Sequence, residues 1–307
     1  MNIKQLLDIA TDKNRFLSIS DYTDFCLRYL EFIKDNLQAV IVSRNENNYR
    51  FFQYGNDGTY NVTRPINANI MMSYEIVEQE RNNILLLISN IREYESDTKQ
   101  NRELLNNFIY TLQQSIGAAL DALPAKMSNT ARKINGDLFE RLIRLVITET
   151  GIEVSEGAVF VPVKIEGKEV FKMSYQHDLI IRFDDETKAV GSVKTSSKDR
   201  LDKIFIDKFL YNRLTDTETP HFAIFLNDVQ RKGKEGKYGI NTTFLTGHFK
   251  GYTIKLNPLD GVYYCDIRPN MKTEYIIKDH IRTFDHFMFT DVWKFIDKDS
   301  YQMNSIS

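Results

Sequence analysis

Two charged residues on neighbouring apolar stretches open the chemical reading of this chain. Asp178 begins the run Asp178-Leu179-Ile180-Ile181-Arg182-Phe183, and Lys194 ends the run Ala189-Val190-Gly191-Ser192-Val193-Lys194. Both runs have strand character and only a short turn separates them, so pairing places the carboxylate beside the ammonium. A carboxylate can hold a hard divalent cation such as Mg2+, which polarises a phosphate and lowers the pKa of its water. A neighbouring cation helps the attacked phosphoryl group carry its charge. The chemistry that suits this pair is phosphodiester hydrolysis, which also asks for a second acid. Two residues before the lysine, on the same strand face, that acid is absent and Ser192 stands in its place.

Two other carboxylates can fill the gap. A helix is expected from Ser197 to Leu214, and Asp207 lies two turns after Arg200, on the same face. Glu140 sits near the start of an earlier helix, expected from Asn135 and closed by Gly151. Each residue also has a structural reading. Asp207 is flanked by Lys203 and Lys208 as an exposed helix acid would be, Glu140 and Arg144 have the spacing of a surface pair, Asp178 suits a turn cap, and Lys194 suits a solvated strand end. The four together, in this order, point to a site more strongly than any one does.

The elements that must position them read as follows. Residues 1 to about 45 show three- and four-residue apolar spacing (Tyr22, Phe25, Cys26, Tyr29, Leu30, Ile33) and are expected to be helical, with Ser20 or Asp21 as a cap. Residues 48–63 alternate around Asn56-Asp57-Gly58, a β-hairpin signal. Residues 70–123 return to helical spacing, with a turn near 93–100 and a stop at Pro124. Residues 1–128 are therefore expected to form a mostly helical region, and 129–307 an α/β domain with a mixed sheet flanked by helices. In that second part the strand ending at Lys194, the helix after Ser197 and a strand at Phe222–Leu226 form a β-α-β crossover. Short strands are expected at Thr243–Leu245 and Tyr252–Leu256, then a last helix from Ile281 to Ile296.

Composition sets outer bounds. The 307 residues are enough for a sizeable core, and the net charge of -2 shows no bulk basicity, although a balanced total can conceal a basic face. Cys26 and Cys265 have no CxxC spacing, so neither a disulfide framework nor a zinc ribbon is indicated. The five histidines include no HxxxH pair, and P-loop, GxGxxG and GxSxG motifs are missing, which leaves no nucleotide cofactor and no serine hydrolase. No apolar run is long enough for a membrane span, and a cytoplasmic protein is expected.

With these residues in place, the chain resembles type II restriction endonucleases of the PD-(D/E)xK superfamily, in the EcoRII- and NgoMIV-like branch of CCGG and CCNGG cutters. In that branch the second acid has moved from the strand to the following helix, leaving Ser-x-Lys, and an Arg-Glu-Arg-like triplet follows the lysine. Ser192-Val193-Lys194 matches the strand motif, Lys198-Asp199-Arg200 the triplet, Asp207 the moved acid, Asp178 the strand aspartate and Glu140 the upstream glutamate. The similarity covers roughly residues 134–226.

The resemblance implies that Asp178 and Asp207 bind Mg2+, that Lys194 orients or activates the attacking water, and that Glu140 supports the site. It also implies that Lys198, Asp199 and Arg200 read bases from a helix N-terminus. Cations donate to guanine O6 and N7 and a carboxylate accepts from cytosine N4, which favours C·G pairs. Here a lysine replaces the first arginine and an aspartate the glutamate, and a lysine lacks the planar fork of arginine. The same triplet also reads as a plain helix start capped by Ser196 or Ser197. Further DNA contacts are possible at Ser192, Ser196 and Ser197, at Arg50 and Tyr54 in the hairpin, and at Arg231, Lys232 and Lys234 in a basic loop.

The expected function is Mg2+-dependent double-strand cleavage of DNA at a short palindromic GC-core site, leaving 5′-phosphates, by a homodimer with one site per strand. A structure-reading repair nuclease and an inactive DNA-binding protein of the same fold remain alternatives.

Overall fold

The computed structural model describes residues 1–56, 59–198, 200–233 and 237–297. Two helices come first, α1 (Ile3–Ala10) and α2 (Ile19–Asn36), each opened by a capping box, Asn2 with Gln5 and Ser18 with Asp21. Ser18 is thus the cap of α2, in place of Ser20 or Asp21. Residues 39–42 turn out to be a strand, because the branched run Ala39-Val40-Ile41-Val42 pairs with Arg50–Gln53. They open an antiparallel sheet of β1 (Ala39–Val42), β2 (Tyr49–Asn56), β3 (Thr59–Val62) and β4 (Ile66–Asn67), in which β2 pairs with the other three. Asp57 and Gly58 of the expected turn lie outside the described residues. Three long helices follow: α3 (Tyr74–Ser89), α4 (Lys99–Leu120) and α5 (Ser128–Glu149). The last begins well before Asn135, since nothing after Pro124 breaks the helix and Gly136 is tolerated inside it.

The main sheet is built from β5 (Glu153–Ile165), β6 (Lys168–Phe183), β7 (Glu186–Ser196), β8 (His221–Asn227), β11 (Gly261–Tyr264) and β12 (Ile281–Thr283). Its order is β12-β11-β8-β7-β6-β5, antiparallel through β5, β6 and β7 and parallel from β7 to β12. Helix α6 (Leu201–Thr215) carries the chain from β7 to β8, the expected crossover. A small hairpin, β9 (Val229–Lys232) and β10 (Gly239–Thr242), leaves the sheet directly after β8. Thr243–Leu245 forms no strand, and the strand expected at Tyr252–Leu256 gives way to helix α7 (Thr246–Lys255). Its buried residues, Phe249 and Thr253, are one helical turn apart, the period that decides the matter. Residues 281–296 become helical only after β12, from Phe284 onward.

One face of the sheet (Leu179, Ile181, Ala189, Val193, Phe222, Ile224) packs on Leu138, Phe139, Leu142 and Ile143 of α5. The other (Ala223, Phe225, Val262, Tyr264) packs on Leu201, Ile204 and Phe205 of α6. The α5-side cluster runs without a break from Ile3 to Ile296. Among the described residues no helix is long and apolar enough to cross a membrane.

Buried polar contacts join the small sheet to the ends of β8 and β11. The Tyr49 hydroxyl donates to Asp266 Oδ2 (3.0 Å) and Asn67 Nδ2 donates to Asp266 Oδ1 (2.7 Å). Arg268 pairs with Glu46, and its Nε lies 4.0 Å from Asp228 Oδ1. Burial pushes the Asp228 carboxyl up to about 7 and that of Asp266 up to about 6.

Two tests follow from this packing. A Cβ on Gly191 would collide with the Phe222 ring, so Gly191→Ala should cost about 1–3 kcal/mol in urea denaturation; an unchanged midpoint would mean the ring moves aside freely. Asp228, raised above its ordinary 3.8, favours the fold most at low pH, and that contribution is lost as pH climbs through about 7. Asp228→Asn keeps the neutral form, so its melting temperature relative to the parent should rise between pH 5 and pH 8; a pH-independent difference would contradict the burial argument.

Candidate active site

Asp178 sits where the strand pairing breaks. Ser155 pairs with Ile180, but Gly157 pairs with His177, so β6 carries one extra residue across Asp178–Leu179. Such a bulge re-aims side chains. Leu179 and Ile181 enter the α5-side core, whereas His177 and Tyr175 stack toward Tyr211 of α6, with ring centroids 5.7 and 5.5 Å from it. Pairing of β6 with β7 also ends here, at Leu179–Gly191. Beyond it, the Val193 amide donates to the Asp178 side chain (Oδ2, 2.8 Å) in place of a backbone carbonyl. That bond fixes the carboxylate at the strand end.

Lys194 lies one residue further along β7. Its Nζ donates to Asp178 Oδ2 at 2.6 Å and to Glu140 Oε1 at 2.7 Å, so α5 reaches the same point from the far side. The three side chains are 29%, 11% and 23% exposed for Lys194, Asp178 and Glu140, a cleft rather than open surface. The expected surface pair of Glu140 with Arg144 is absent, because Arg144 turns to Glu156. Burial opposes the charge on Lys194, but the adjacent Asp178 and Glu140 carboxylates outweigh it and hold the amine above its ordinary 10.5. Burial, then the Asp178 charge, raises Glu140 above 4.5 against the pull of Lys194.

Asp207 lies on α6, 27% exposed, and pairs with Lys203 one turn earlier. Its charge also acts on Tyr175 and His177, where burial is the larger influence, raising the first and lowering the second. His177 feels Asp178 as well, so the two acids flank this buried imidazole. Among the described residues no three His, Cys, Asp or Glu side chains gather as one metal-binding group. The residues present nevertheless fit Mg2+. Asp178 and Glu140 bring hard oxygen donors to one point in the cleft, and Mg2+ typically takes only one or two carboxylates while keeping several waters.

The segment after Lys194 is tied to the β9–β10 hairpin. Ser196 Oγ and Ser197 Oγ lie 3.3 and 3.1 Å from Thr243 Oγ1, which in turn donates to the Asp228 carbonyl. Ser197 is buried, and neither serine caps α6; Arg200 occupies the cap position without a side-chain bond. Lys198 and Arg200 are exposed at that helix start and pair with no described acid, while Asp199 lies outside the described residues. Ser192 is half-buried on β7 opposite Ala223.

The remaining candidates divide. Tyr54 is fully buried and its hydroxyl donates to the Ala118 carbonyl at 2.5 Å, which removes it from the DNA contacts in favour of a core role. Arg50 is turned back onto the carbonyls of Asn47 and Tyr49. Arg231 donates to the Val62 carbonyl at 2.5 Å, and Lys232 is exposed; Lys234 lies outside the described residues. The tie from Ser196 and Ser197 to Thr243 has no sequence signal, since its partners are more than forty residues apart.

No protein-family model matches this sequence, and no curated protein matches it. Among solved structures, the chain is similar to the type IIP restriction endonuclease Kpn2I, with a TM-score of 0.70 at 18% identity over 97% of this chain and 98% of that one. A second similarity, with a TM-score of 0.44 at 13% identity over 73% of this chain and 92% of the other, is to a restriction endonuclease PspGI–substrate DNA complex. The mixed sheet flanked by helices is thus a restriction-endonuclease fold.

Proposed function

We propose that this chain is a Mg2+-dependent type II restriction endonuclease of the PD-(D/E)xK superfamily, in the EcoRII- and NgoMIV-like branch. The observation that carries the reading is the Lys194 ammonium held between Asp178 and Glu140 at the strand ends of a restriction-endonuclease fold. The resemblance gives the metal to Asp178 and Asp207, but the oxygens that meet in the cleft are those of Asp178 and Glu140, so Asp178 with Glu140 would hold it and Asp207, paired with Lys203 on α6, would be the further acid. When bound, Mg2+ polarises the scissile phosphate and lowers the pKa of a bound water.

The chain's own residues do the rest. Lys194, held protonated by two carboxylates, is a poor proton acceptor. Its role is electrostatic: it donates to a phosphoryl oxygen or to the attacking water and steadies the charge that develops on the phosphate. Asp178, fixed by the Val193 amide, aims both the lysine and the metal position. Lys198 and Arg200, at the start of α6, together with Asp199 between them in sequence, would read a GC-core palindrome from the major groove, CCGG or CCNGG in type. A twofold homodimer then cuts both strands and leaves 5′-phosphates.

Lys194→Ala and Asp178→Ala should each lower Mg2+-dependent cleavage of duplex DNA by about a hundredfold or more, with near-parental circular dichroism. Full activity in either variant would sink the site assignment. Arg200→Ala should weaken binding to the cleaved site by about 1–3 kcal/mol for a lost bidentate contact; an unchanged site preference would reduce the triplet to a helix start.

A further inference from the structure

Away from the cleft, two segments distant in sequence are locked together so that they collect positive charge. Arg44, in the loop after β1, donates its amide to the Tyr238 carbonyl at 3.0 Å. The side chain of Asn45 behaves as a short extra strand: its Nδ2 donates to the Ile240 carbonyl and its Oδ1 accepts from the Ile240 amide, both at 2.9 Å. Gly239 makes the fit possible, because a Cβ there would lie 2.6 Å from Asn45 Oδ1 and 3.3 Å from Arg44 Cγ. The stem of Arg44 therefore lies against Gly239, whose register partner across the hairpin is Lys232. On the next step of the hairpin, Gly233 takes a left-handed φ of +93°, and a Cβ there would run into the Lys237 carbonyl. Arg44, Lys232 and Lys237 are all exposed, and none pairs with a described carboxylate.

Like charges held together repel one another, and here three hydrogen bonds and a required glycine fix the arrangement. A polyanion relieves that repulsion. The patch also has a defined position relative to Lys194. The hairpin's feet, Asp228 and Thr243, flank Ser196 and Ser197, two and three residues beyond the lysine. Four strand residues then carry it roughly 13 Å outward, about four base-pair steps of a duplex at ~3.4 Å each.

We propose that Arg44, Lys232 and Lys237 form a clamp on the DNA phosphate backbone beside the bases being read, contributing affinity without sequence preference. This inference rests on the nuclease reading above and adds a surface to it. It assigns the small N-terminal sheet a place at the duplex, through the β1–β2 loop.

The test uses the full chain, a random-sequence duplex of about 30 base pairs and EDTA, with the binding constant measured across salt concentrations. Each phosphate contact contributes roughly 0.9 to the slope of log K against log salt. The triple variant R44Q/K232Q/K237Q should lose about 2–3 from that slope while melting as the parent does. A parental slope in the variant, with normal DNA binding by the parent, would overturn the clamp alone. Failure of the parent to bind any duplex would overturn the nuclease reading and the clamp with it. A second variant, Gly239→Val, should displace the Arg44 loop and reduce the slope with all three cations present; an unaltered slope would count against the locked geometry.

Discussion

The site depends on one electrostatic constraint: an ammonium that must sit between two carboxylates at the point where a sheet comes apart. Lys194 cannot reach both Asp178 and Glu140 unless β6 bulges and α5 packs across β7. The bulge reverses the facing of β6, sending Leu179 into one core layer and His177 into the other, and leaves Asp178 at the seam. Without the lysine, two partly buried carboxyl groups would be left side by side with no cation between them. With it, an ammonium lies between the two carboxyl groups in a cleft that still admits solvent.

The rest of the molecule reads as support for that seam. The apolar run of α5 fixes the height of Glu140, and Gly191 lets Phe222 close beneath the strand. Ser196 and Ser197 tie the chain beyond Lys194 to Thr243, and so to the hairpin that the small sheet grips. The buried carboxylates Asp228 and Asp266 make this junction sensitive to pH, because burial holds both in the range where they exchange protons near neutrality.

Much of the site was legible because its chemistry lies on consecutive elements. Asp178 and Lys194 flank one turn, and alternation plus a crossover suffices to bring them together. Glu140 was legible as a candidate, but its choice of Lys194 over Arg144 depends on how α5 crosses the sheet, which no local pattern encodes. The strand at 39–42 and helix α7 were misread for a different reason. Both are short apolar stretches in which one turn of helix and a few strand residues look alike until a partner selects between them. Tyr54 shows the same limit from the other side: an aromatic in a basic hairpin resembles a DNA contact until α4 is found covering it. The ties across more than forty residues are set by tertiary packing alone.

The central claim is that Lys194, Asp178 and Glu140 cut DNA at a chosen sequence. The most direct measurement is to incubate the purified chain with a fully sequenced phage DNA and Mg2+ and to sequence the ends of every fragment. The account predicts discrete ends that carry 5′-phosphates and share a short palindrome with a GC core. Intact DNA, or ends with no common sequence, would contradict it.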